Sequence, residues 1–234
     1  MSEEDDSTAA THPDLAVYLE PSGGVDSASP RIIELSSYLT RGAETPTRKA
    51  SALFNFVRDT IRYIPYAPFD KLEHYEGEQT LDRGYGFCTQ KSSLLIALAR
   101  AASIPARFHF ADLLNHNMPG RLGWVLGTNR MVYHTYVEMH LGGSWCKATP
   151  SFEAPLCQKM GWRLVEFDGS SDATLHATDL LGRPHIEYLL DRGTRPAVPL
   201  DDMLTTWADE YGLSTLDRWE SAIFNACPKE ASSP

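Results

Sequence analysis

Residues 84–110 read GYGFCTQKSSLLIALARAASIPARFHF, and this stretch decides the fold. A loop punctuated by Gly84 and Gly86 runs into Cys88. Leu94, Leu95, Leu98, Ala101 and Ala102 then recur at helical spacing, so one face of a helix is expected to be buried. Pro105 bars continuation of that helix, and Ala106 to Phe110 reads as a strand. Cys88 therefore falls at or near the first helical turn. Backbone N–H groups there lack intrahelical partners, and the helix dipole is positive at that end. Both effects favour thiolate over thiol, which is how a protein makes a cysteine nucleophilic. The competing reading is a small buried hydrophobe, the usual role of an intracellular cysteine.

A second informative stretch lies downstream, MVYHTYVEMHLGGSWCKATPSF, residues 131–152. Alternation from Tyr133 to Leu141 predicts a strand with His134, Tyr136, Glu138 and His140 on one face. Gly142-Gly143 is a two-residue hairpin turn. That turn sets Leu141 against Ser144, Glu138 against Lys147 and Tyr136 against Thr149. His134, Glu138, Lys147 and Thr149 are thus expected to form one polar stripe, with Glu138 and Lys147 as a cross-strand ion pair.

The remaining chain reads as follows. Residues 1–14 are small, polar and acidic, a disordered tail. Leu15 to Leu19 is a candidate short strand. Ser29-Pro30 and Thr45-Pro46 open two helices, the second carrying Ala50, Leu53, Phe54, Val57 and Ile61. Residues 64–83 form an aromatic loop, either a cleft wall or cover for the core. Asp112 to Asn129 reads as a long loop in which His116 is either a site residue or simply solvated. Leu164 to Phe167 is a candidate strand, and Ile186 to Leu190 is an apolar segment of unassigned period. Pro199-Leu200-Asp201 precedes a helix with Met203, Leu204, Trp207 and Tyr211, and Leu216 to Phe224 is a candidate last helix. One domain over residues 15–227 is expected, with a frayed tail at 228–234.

The chain has 234 residues, 42 % of them hydrophobic and 22 % charged, enough to bury a substantial core. A net charge of −10 argues against a nucleic-acid partner and against anionic membranes. The acidic start lacks the apolar core of a secretory signal, and no apolar run is long enough to span a bilayer. Four cysteines with no C-x-x-C pair then read as free thiols in a cytoplasmic protein without structural zinc.

The two stretches together resemble the bacterial transglutaminase-like family of the papain-like thiol enzymes. The first likeness is carried by Gly86, Cys88, Leu94, Leu95, Ala97, Leu98, Arg100, Ala101, Ile104, Pro105, Ala106 and Arg107. The second is carried by His134, Tyr136, Val137, Glu138, Leu141, Gly142, Gly143 and Trp145. The likeness runs from about Thr45 to Ser151. It implies an α+β fold in which the nucleophile opens a central helix packed on an antiparallel sheet. It also implies a Cys88 nucleophile, a His134 general base and a third residue that orients the imidazole. The family usually supplies an aspartate there; this chain has Thr149, which accepts a hydrogen bond but brings no charge. Glu153 and Asp112 are the alternative orienting groups, and a weakened enzyme is the remaining possibility. The implied activity is acyl transfer from an amide or ester of a peptide or small molecule. Hydrolysis is favoured, with amine transfer (transglutaminase or amide synthase) or a non-catalytic peptide-binding scaffold as alternatives. This chemistry needs no metal or organic cofactor.

Overall fold

The computed structural model describes residues 15–212 together with Thr215, Arg218, Trp219, Ser221 and Ala222. The expected tails at 1–14 and 228–234, and much of the expected helix at 216–224, lie outside the described residues. In order, the elements are α1 (Pro30–Leu39), α2 (Pro46–Thr60), β1 (Arg62–Tyr63), α3 (Gly77–Arg83) and β2 (Tyr85–Gly86). There follow α4 (Cys88–Ala101), β3 (Ala106–Asn115), α5 (Gly120–Leu126), β4 (Arg130–Leu141), β5 (Ser144–Ala148), α6 (Ala154–Met160), β6 (Ile186–Arg195) and α7 (Leu200–Tyr211). Strands β5-β4-β3-β6 form an antiparallel sheet, and β1 pairs with β2 in parallel. The fold is α+β, as expected.

Helices α1 and α2 start where their caps place them. The Ser29 and Thr45 hydroxyls accept from the N–H groups of Ile32 and Arg48, and Pro30 and Pro46 stand at the first turn. The candidate strand at Leu15 is instead a 3-10 turn, Leu15–Tyr18. The aromatic loop contains another such turn, Leu72–Tyr75, and helix α3. The expected loop from Asp112 is divided between β3, which continues to Asn115, and α5. Leu164 to Phe167 makes no strand, whereas Ile186 opens the long edge strand β6.

Helix α4 departs from the expected single buried face: Cys88 to Arg100 are all buried. Helices α1, α2 and α3 cover one side and strands β3 and β4 the other. A helix enclosed in this way must satisfy its polar side chains internally. Lys91 Nζ donates to the carbonyls of Arg58 and Ile61 at the C-terminal end of α2. Gln90 ties the glycine loop down, accepting from Phe87 N–H at 3.3 Å and donating to the carbonyls of Pro68 and His74 at 2.6 and 3.0 Å. Gly86 is required by that approach, since a Cβ there would lie 3.0 Å from Gln90 Cβ. Gly84, at φ +66°, makes the left-handed turn that ends α3.

The β4–β5 hairpin has the expected register, with Glu138 opposite Lys147 and Leu141 opposite Ser144. The ion pair is not the expected one. Glu138 instead receives Arg107 Nε at 2.7 Å and His109 Nδ1 at 2.7 Å, both from β3. Lys147 lies over the Tyr136 ring, 5.7 Å from its centroid. β5 ends at Ala148, so Thr149 stands just beyond the ladder, its N–H donating to Ala173 O at 2.9 Å.

The other end of β4 carries a bulge. Ala111 pairs with His134 and Leu113 with Met131, so Val132 and Tyr133 oppose the single residue Asp112. Tyr133 takes φ +57°, a left-handed conformation strained for an aromatic residue. Its N–H donates to Asp112 Oδ1 at 3.1 Å. The Asp112 carboxylate, fully buried, also binds Arg192 at 2.8 Å and Arg130 at 3.2 Å. Helix α7 supplies the rest: Tyr211 OH accepts from Val132 N–H at 2.8 Å, and Trp207 Nε1 donates to Val132 O at 3.1 Å. Asp112→Ala leaves the Tyr133 N–H unpartnered and takes away the carboxylate that Arg192 binds, while Arg130 keeps Glu210 at 3.1 Å. It is expected to lower unfolding free energy by about 3 kcal/mol, read as a lower urea midpoint at unchanged slope.

Candidate active site

Cys88 is the first residue of α4 and Phe87 its N-cap. Thr89, the next residue, bonds hydroxyl to hydroxyl with Thr135 of β4 at 2.8 Å, pinning the start of the helix to the strand that carries His134. The Cys88 thiol has the Thr89 side chain and the Thr135 backbone N–H as polar neighbours. Cys88 and His134 line one narrow cavity of about 70 Å³. Its walls include Phe69, Phe87, Leu126, Met131, Trp207 and Trp219. The expected aromatic loop therefore does contribute a cleft wall, through Phe69.

Thr149 is not among the residues that line the cavity; Tyr188, which the sequence did not single out, approaches both it and His134. The Tyr188 ring of β6 lies 6.3 Å from that of His134 and 6.2 Å from that of Tyr136. Its hydroxyl faces Thr149 and the Leu175 backbone, and burial pushes its pKa up to about 12. His134 Nε2 is buried and, among the described residues, makes no hydrogen bond. No period could be read from Ile186 to Leu190, because β6 is an edge strand exposed along much of its length. Tyr188 gave no other signal.

The two alternative orienting carboxylates are engaged elsewhere. Glu153 accepts from Tyr63 N–H at 2.9 Å, and Asp112 serves the bulge. His116 reaches Glu187 at 3.0 Å on the exposed side of β6, away from the cavity lining.

The electrostatics differ from the expectation of a thiolate. Burial pushes the Cys88 pKa above the ordinary thiol value, against the opposing pull of the Thr135 and Thr89 groups. Burial alone lowers His134 to about 3, and among the described residues no carboxylate pairs with the ring. Both shifts favour the uncharged forms, a thiol and a neutral imidazole lining one cavity. Helix-end polarity is outweighed because desolvation acts on the whole charge, while the dipole offers a fraction of one. Among the described residues, no group of three or more His, Cys, Asp or Glu side chains could hold a metal ion.

The model of the transglutaminase-like superfamily core matches residues 33–150. The chain belongs to the transglutaminase-like superfamily. No curated protein matches it. Among solved structures it is similar to a candidate cysteine protease from Cytophaga hutchinsonii, at 16 % identity and a TM-score of 0.47, over 80 % of this chain and 55 % of that one. It is also similar to the periplasmic domain of TgpA from Pseudomonas aeruginosa, at 20 % identity and a TM-score of 0.41, over 60 % of this chain and 48 % of that one. The chain thus spans about half the length of these structures. No described helix is long and apolar enough to cross a membrane.

Two buried histidines make stability depend on pH below about 6.5. His134 and His185 bind protons in the folded state only near pH 3 and 4, both lowered first by burial, whereas an unfolded histidine binds one near 6.5. Between those values the unfolded chain holds more protons, so stability falls as pH falls from about 6.5 to 4. The slope is at most about 1.4 kcal/mol per pH unit for each histidine. Urea midpoints measured from about pH 6.5 to 4 should show this decline, and His185→Gln should make it shallower.

Proposed function

We propose that the chain is a thiol-dependent acyl-transfer enzyme that hydrolyses amide or ester bonds of a peptide or small amide. Supporting this is one observation: Cys88, at the start of an enclosed helix, and His134, from a strand far along the chain, line the same cavity. A neutral His134 is in the protonation state that a general base requires. His134 takes the thiol proton as Cys88 sulfur bonds to the carbonyl carbon, so no free thiolate has to persist in the apolar site. The carbonyl oxygen becomes an oxyanion, for which the Cys88 backbone N–H at the helix start is a donor. Collapse breaks the bond to the amine, which leaves with the proton from His134. Water, deprotonated by the same ring, then releases the acid and restores the thiol. Hydrolysis is preferred because amine transfer requires a further acceptor site.

Thr149 is the proposed orienting residue, and its lack of charge favours a second reading, a peptide-binding scaffold without chemistry. Mass spectrometry of the protein mixed with an activated ester separates the two. An acyl adduct on Cys88, absent in Cys88→Ala and slowed at least 100-fold in His134→Ala, is the expected result. Faster adduct decay with added amines would mark an amine transferase instead. Alkylation of Cys88 by iodoacetamide should keep rising with pH through 8, without a plateau near 6. In Thr149→Asp, a carboxylate stabilises the imidazolium, so alkylation at pH 6 should rise about tenfold.

A further inference from the structure

The cavity also carries information about what is transferred. Apart from His134, none of its lining residues is ionisable below the range of tyrosine or cysteine, and most are aromatic or aliphatic. The wall is braced by edge-to-face rings: Phe69 lies 5.6 Å from both Trp207 and Trp219, and Phe87 lies 6.2 Å from Trp207. The Tyr211 hydroxyl is taken up by Val132 N–H. A charged group placed there would lose its water and meet no counter-charge. An apolar group of isobutyl to phenyl size would remove aromatic surface from water at no such cost. We infer that this cavity is an acyl-side specificity pocket, selecting donors whose acyl group is neutral and carries one branched aliphatic or aromatic side chain. The inference rests on the acyl-transfer reading, since it is Cys88 at the cavity wall that makes the occupant the acyl portion.

The test uses a series of p-nitrophenyl esters with a constant leaving group: acetate, 4-methylvalerate, 3-phenylpropionate and the monoester of succinate. The sulfur bonds to the ester carbonyl, p-nitrophenolate leaves, and the Cys88-dependent rate is wild type minus Cys88→Ala. The 4-methylvaleryl and 3-phenylpropionyl esters should exceed acetate by about 10- to 100-fold in kcat/KM, with succinyl below acetate. Trp207→Ala should shrink the 3-phenylpropionyl to acetyl ratio. Leu126→Ala, which leaves the Trp207 bond to Val132 intact, should do the same. A flat series, or succinyl equal to 3-phenylpropionyl, overturns the pocket. A further measurement does not depend on catalysis. 3-Phenylpropionamide should slow modification of Cys88 by methyl methanethiosulfonate, and succinamate should not. If no ester acylates Cys88 yet this protection holds, the catalytic reading has failed and the apolar pocket stands. If neither amide protects, the pocket is overturned.

Discussion

Val132 and Tyr133 cannot both pair across the sheet, and the site depends on how their backbone groups are satisfied. Two residues of β4 face one of β3, so the ladder loses its regular partners there. A buried N–H without a partner costs on the order of 1–3 kcal/mol, so such a bulge survives only if other groups supply the missing bonds. Asp112 supplies one from the neighbouring strand, and Tyr211 and Trp207 supply two from α7. The same groups create the cavity. Satisfying the bulge brings α7 across the end of the sheet, and its aromatic side chains then wall the space next to His134. Backbone satisfaction and pocket formation are one packing event.

The enclosure of α4 has the complementary effect. A helix covered on all sides has only its ends through which to act, and here the N-terminal residue reaches the cavity. Lys91 shows how that enclosure is stabilised. Its ammonium meets the carbonyls that end α2, where the dipole is negative, yet burial still lowers its pKa to about 7. The helix start is thus fixed from two directions, by Gln90 to the Pro68 carbonyl and by Thr89 to β4.

Much of this was legible in the sequence where local chemistry dictates conformation. Caps and prolines placed α1 and α2, the glycine pair set the β4–β5 register, and Cys88 was located at the helix start. The motif residues shared between the two stretches turn out to meet one another: Arg107 lies between Glu138, at 2.6 Å, and the Trp145 ring, 3.9 Å from its centroid. Register alone could not show this, because it ranks Lys147 as the partner of Glu138, whereas Arg107 and His109 approach from the other side of β4. The bulge was hidden for a similar reason. Period-2 alternation runs through Tyr133 unbroken, and the extra residue is defined only against Asp112 on another strand. Tyr188 was out of reach because its role comes from a non-local pairing of an edge strand.

On the proposed reading, an uncharged orienting residue at Thr149 suits an apolar cavity. A carboxylate at that position would favour an imidazolium, and an imidazolium would favour a thiolate, placing an ion pair in surroundings that solvate ions poorly. Burial raises the Cys88 pKa and lowers that of His134, so neither charge is favoured at rest. In the proposed reaction, charge appears only as bonds rearrange, on the oxyanion and on the ring together. At that moment the low dielectric strengthens the pull of fixed N–H groups on the oxyanion. A site of this kind trades the reactivity of a standing thiolate for a resting state that is cheap to bury. The demand for stabilisation falls on the helix start, the one part of α4 the fold leaves facing the cavity.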